Sequence, residues 1–198
     1  MTHHTLKLIV AIFGLSLLSL TAHGGSIVAS PYVGQETRVI KSLSAEDIDD
    51  LINGRGWGLA KPAELNVVPG PAHLLEMQQE IALTPEQVST IEALWTRMNQ
   101  KARELGKRYV ALEKELNTQF VSGQFSAEML KALLLEIGAV RAELRFVHLS
   151  AHLEARPILK SDQVALYNRL RGYSSDDPCA NIPKGHDPDM WKKHNHCG

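Results

Sequence analysis

The chain is poor in several things, and each shortage narrows what it can be. Of its 198 residues two are cysteine and 6% are aromatic, while 44% are hydrophobic, which supports one modest core with tails more readily than two independent cores. Its longest apolar run, Leu8 to Leu20, falls short of the roughly 20 residues a membrane-spanning helix needs. No charge of either sign dominates: 21 Lys and Arg face 22 Asp and Glu, a formal net of -1, so the concentrated basic excess of a nucleic-acid binder is missing. There is no Gly-x-Ser-x-Gly and no Gly-rich phosphate loop leading to Lys-Ser/Thr. The stretch His148-Leu149-Ser150-Ala151-His152 lacks the Glu a zincin needs after its first His. An enzyme is not expected.

What is present begins with an export signal. Lys7 supplies the positive charge, Leu8 to Leu20 the apolar segment, and Ala22-His23-Gly24 the small residues read by a signal peptidase, so residues 1–24 are expected to be removed and the mature chain to reside in the periplasm. Both cysteines, Cys179 and Cys197, stay in the mature part, and in an oxidising compartment a disulfide between them is the default. The same tail carries His186, His194 and His196, so thiolates and imidazoles binding Zn or Cu are the alternative.

The middle of the chain is organised around a long helix expected from Pro85 to about Phe120. Val88, Ile91, Trp95, Met98, Ala102, Leu105, Tyr109, Leu112 and Leu116 alternate three-residue and four-residue steps, a heptad seam. Thr84 can cap its first amides, Pro85 suits the first helical position, and Gln87 stands where a capping box needs it. Such a helix is about 54 Å long at 1.5 Å per residue and requires an equally long partner. That partner follows a turn at Val121-Ser122-Gly123-Gln124-Phe125. Ser126 caps it, and its seam is Leu130, Leu133, Ile137, Val140, Leu144, Val147 and Ala151, ending by Pro157. The expected fold is all-α, a long antiparallel helical hairpin with short flanking helices. Gly106 and Gly138 lie inside the two helices and are expected to mark curvature.

Residues 25–70 read as a leader, mobile to Ser42, with one short helix capped by Ser44. In it Gly54-Arg55-Gly56-Trp57-Gly58 is a turn with an aromatic anchor and not a phosphate loop. Residues 71–172 form the hairpin domain, opened by a helix of about ten residues from Pro71 and closed by a last helix from the Leu159 segment to near Gly172. Residues 173–198 are a Cys- and His-containing tail, with Met190 and Trp191 expected to anchor it.

Leu83-Thr84-x-x-Gln87, a second Leu159-x-x-x-Gln163, the hairpin between them and the export signal together resemble the LTxxQ superfamily, the group of Spy, CpxP, ZraP and CnrX. The resemblance covers about residues 71–172. Lys160 replaces the second Thr, which leaves Ser161 to serve as cap. The resemblance implies a bent hairpin that dimerises into a cradle. It also implies a periplasmic, ATP-independent chaperone or envelope-stress modulator, whose partners are partly folded envelope proteins or a membrane signalling protein.

The alternative implied by the same resemblance is a transition-metal sensor or buffer. His148 and His152 stand one helical turn apart, and so do His73 and Met77, so a Cu, Zn, Ni or Co site drawing on both pairs is conceivable, with Met77 biasing it toward copper. The plainer expectation places His148 and His152 at the edge of the core on a polar flank with Arg141, Arg145 and Arg156. It makes Met77 a core filler and His73 a helix-start residue.

Overall fold

A computed structural model describes residues 29–173, 182, 187–194 and 197, and the expected export signal lies outside these. The chain divides into Met1–Gly34 and Gln35–Gly198. Of the first unit the described part is a turn in which the Tyr32 and Val33 amides donate to Ser30. In the second unit, every regular element among the described residues is helical.

After a 3-10 turn at Gln35–Thr37, α1 spans Ala45–Ile52. Ser44 and Asp47 cap it reciprocally, the Asp47 amide donating to the Ser44 hydroxyl at 3.0 Å and the Ser44 amide to the Asp47 carboxylate at 2.8 Å. The Trp57 indole N–H adds a third contact to that carboxylate at 2.9 Å. The Ser44 hydroxyl first and Trp57 next hold the Asp47 carboxyl below its usual range. Trp57 is thus the anchor of its turn, its ring 5.6 Å from that of Tyr109 and 5.6 Å beneath the Arg141 guanidinium.

One turn of helix, α2, follows at Lys61–Glu64, with Pro62 among its first residues as its only sequence signal. The helix expected over ten residues from Pro71 is shorter: α3 is Pro71–Glu76. It stops because the chain must reverse before Thr84, and it does so through Ala82, whose φ of 50° lies in the left-handed region. Even so, Leu74 and Ile81 are fully buried.

The hairpin is α4, Pro85–Ser122, and α5, Ala127–Ala155. Gly123 with φ 67° ends α4 in a left-handed cap, and the Ser126 hydroxyl accepts from the Met129 amide to begin α5. A 3-10 turn at Arg156–Ile158, set by Pro157, leads into α6, Ser161–Leu170. Here Ser161 is the first helical residue and not the cap. Lys160 holds the cap position, and since an ammonium cannot accept a hydrogen bond, only the Gln163 half of the box is made. The tail contains α7, Pro188–His194, begun by Asp187, whose carboxylate accepts from the Asp189 and Met190 amides. Of the two residues expected to anchor the tail, Met190 is exposed and Trp191 half-buried.

Two buried clusters lie along the hairpin. Toward the turn, Ile40, Leu43, Leu51 and Leu59 pack on Leu105 and Tyr109 of α4 and on Val140 and Leu144 of α5. Of the leader expected to be mobile to Ser42, Ile40 is therefore part of the hairpin's own core. Toward the base, Leu74 and Ile81 join Ile91, Leu94 and Met98 of α4, Ala151 and Ala155 of α5, and Tyr167 of α6. In α4 the buried seam passes through Leu94, 4% exposed, and not through the expected Trp95, 37% exposed. Both satisfy a three-or-four spacing from Ile91. A straight helix drifts about 20° per heptad, and at the base α4 must also meet α3, so the apolar face turns onto Leu94.

Gly106 has a role other than curvature. A Cβ there would lie 1.9 Å from the Leu51 carbonyl oxygen, so its bare backbone lets the end of α1 rest on α4. Gly138 of α5 is exposed, with nothing within 4 Å of the position a Cβ would take.

Candidate functional site

The two motif glutamines meet at the base of the hairpin. Gln87 Nε2 donates to Gln163 Oε1 and Gln163 Nε2 to Gln87 Oε1, both at 2.9 Å. Each amide also completes its own helix start: Gln87 Oε1 accepts from the Thr84 amide and Gln163 Oε1 from the Lys160 amide, both at 3.0 Å. The remaining N–H groups cross over, Gln87 Nε2 to the Ile158 carbonyl at 2.8 Å and Gln163 Nε2 to that of Ala82 at 3.2 Å. Ala82 precedes Leu83 as Ile158 precedes Leu159, so the contacts obey an approximate twofold relation between the two motifs. Every donor and acceptor of both amides is used. Leu159 is buried and Leu83 half-buried beside the pair. The motif residues are thereby given a definite structural task, joining the start of α4 to the start of α6.

The histidines behave differently from the solvated pair that their flank suggests. His148 is 4% and His152 6% exposed, and His152 faces the segment after α2 at Val68 and Gly70. The arginines beside them in sequence misled, because α2, α3 and the α6 region cover this end of α5 and turn an apparent flank inward. His152 Nδ1 donates to the Val68 carbonyl at 2.8 Å, and Nε2 lies 4.0 Å from Glu64 Oε1. A Cβ on Gly70 would lie 2.5 Å from the His152 ring, so the chain passes directly over it. Glu64 in turn accepts from the Tyr167 hydroxyl with both oxygens, at 3.0 and 2.9 Å, and Arg171 Nε lies 3.9 Å away. Burial first, then the Glu64 charge, raises the Tyr167 phenol far above its ordinary value.

His148 Nε2 is buried with no hydrogen-bond partner among the described residues. Burial, with His152 second, depresses its pKa to about 4. Glu64 and Tyr167 are members of this centre that the sequence did not point to. The other pair stays apart: His73 Nδ1 contacts Glu76 at 2.7 Å, and Met77 packs half-buried at the edge of the basal cluster, as a core filler does. Among the described residues no three His, Cys, Asp or Glu side chains are placed to share a metal ion. Cys197 is disulfide-bonded, while Cys179, His186 and His196 lie outside the described residues.

A surface that the sequence reading passed over is the outer side of α5. Opposite the buried seam runs a second one, Leu135, Ala139, Ala142, Phe146, Leu149 and Leu153, again in steps of three and four. Leu135, Phe146 and Leu153 are 65%, 70% and 69% exposed. Toward the turn it merges with an apolar groove of about 310 Å³ between Leu130, Leu134 and Leu135, with Lys131 at its edge. Phe120, Val121 and Met129 add exposed apolar surface at the turn, where the Phe120 and Phe125 rings pack 4.9 Å apart. No helix among the described residues is long and apolar enough to cross a membrane. Compared with known proteins, the chain matches no family model, no curated protein and no solved structure.

Proposed function

We propose that this chain is an ATP-independent chaperone or envelope-stress modulator of the Spy/CpxP type, holding partly unfolded proteins of the bacterial envelope on the outer face of α5. The observation that carries this reading is the second apolar seam on α5, whose Leu135, Phe146 and Leu153 stand exposed, while the first is buried inside the hairpin from Ile137 to Ala151. Exposed apolar surface that is contiguous, and not scattered singly, marks an interaction site. Its contacts with a client are dispersive and non-directional, so they suit many sequences and need no nucleotide to release them.

The test is aggregation of a thermally unfolded client such as citrate synthase, with EDTA present so that metal plays no part. The mature protein should suppress light scattering near stoichiometric ratios, and Phe146→Asp with Leu153→Asp should remove most of that effect while leaving the helical circular dichroism unchanged. Absence of suppression at tenfold excess of the wild type overturns the reading.

A further inference from the structure

The outer seam has more order than a general apolar patch needs. Its members recur at heptad spacing from Leu135 to Leu153, large residues at both ends and the small Ala139 and Ala142 between Leu135 and Phe146. That is the pattern into which the side chains of another helix insert, with the small residues admitting a close approach. An extended strand, repeating every two residues, matches this spacing nowhere along its length.

The two edges of the seam differ in charge. On one side lie Glu136, Glu143 and Glu154, and two of these are already paired with α4, Glu136 with Arg108 and Glu154 with Arg97. On the other side lie Lys131, Arg145 and Arg156, none of which has an ion pair among the described residues. The groove at the turn end of the seam opens on this same basic side, where Lys131 borders it. The face therefore presents an apolar stripe with one unneutralised basic edge.

Resting on the chaperone reading for the use of this face, we infer that its preferred occupant is an amphipathic helix with an acidic edge, lying along α5 with its acidic side against Lys131 and Arg145. Complementary charge at such a rim acts on orientation and on partner choice, while the apolar stripe holds the helix down. An antiparallel second copy of α5 fits less well. Packed antiparallel, it would set like edge against like edge, Glu143 near Glu143 and Arg145 near Arg145.

The experiment uses the mature chain and three fluorescein-labelled synthetic peptides of three heptads. One has Leu at the seam positions and Glu along one edge, one has Lys along that edge, and one is the first scrambled so that no apolar stripe remains. Anisotropy should report binding of the Glu-edged peptide about tenfold tighter than either control, with a gain of helix by circular dichroism. Lys131→Glu with Arg145→Glu, both exposed, should reverse the preference toward the Lys-edged peptide. Equal binding of the scrambled peptide, or no reversal, overturns the inference. So does a sedimentation result in which the wild type is a dimer that Phe146→Asp dissociates, since a copy of the chain then occupies the face. A protein that suppresses aggregation but ignores all three peptides refutes helix docking alone. One that binds the Glu-edged peptide without suppressing aggregation refutes the chaperone reading alone.

Discussion

The two long helices of the hairpin use their apolar residues in opposite ways. Before its last turn, where Phe120 and Val121 are exposed, α4 carries one stripe and spends it inside the molecule, against α1, α3 and α5; there its outer side has Trp95 as the one exposed large apolar residue, in a polar groove with Asn99, Arg103 and Lys107. α5 carries two stripes and uses one. An apolar helix is normally either amphipathic and half-covered or apolar all round and buried, and α5 is apolar on both sides yet covered on one. The difference makes α4 the scaffold and leaves on α5 the exposed apolar face on which the proposed function rests.

Substitutions at matched positions in the two helices would break this contrast or sharpen it. The largest effect belongs to Gly106→Ala in α4: because the added Cβ would meet backbone and not a mobile side chain, overpacking should destabilise by about 3 kcal/mol, read as a lower urea midpoint. An unchanged midpoint would show that α1 can lift from α4 freely.

Next is the covered side of α5, through His148. Its folded pKa of about 4 lies below the unfolded value of 6.5, so the unfolded chain binds the extra proton between these limits. The stability it contributes is complete above pH 6.5 and is lost as pH falls toward 4, by up to about 3 kcal/mol. Urea unfolding at pH 7.5 and 4.5 should show this loss in the wild type and a much smaller one in His148→Leu. Identical losses in both proteins would remove His148 as the cause.

The smallest effect is on the open side. Gly138→Ala meets nothing and should gain about 0.5 to 1 kcal/mol from helix propensity alone, seen as a rise of a few degrees in Tm. A loss instead would mean that the position is covered in solution.

Much of this architecture could be read from the residues. Thr84, Pro85 and Gln87 specify the start of α4, Gly123 its end, and Ser126 and Pro157 bracket α5, because caps and breakers act locally on the backbone. What escaped depends on tertiary neighbours. The choice between Leu94 and Trp95 is made by α3, the burial of His148 and His152 by the chain that crosses them at Gly70, and the need for Gly106 by the Leu51 carbonyl. The outer seam of α5 is hidden for a different reason: one apolar stripe already specifies an amphipathic helix, and a second stripe at the same period adds no separate local signal. The reciprocal amide pair was half legible, since each glutamine announced its own cap while their meeting was fixed only by the fold.

That pair also determines what the hairpin's closure is insensitive to. The bridges between α4 and α5, Arg97 with Glu154 and Arg108 with Glu136, are exposed ions, and salt at physiological strength screens such charges over about 8 Å. Gln87 and Gln163 carry no charge and have no proton to gain or lose in the ordinary pH range, and their partners are backbone amides and carbonyls. The joint between the starts of α4 and α6 is consequently a fastening that reads neither ionic strength nor acidity, so salt can retune the charged edges of α5 without loosening that joint.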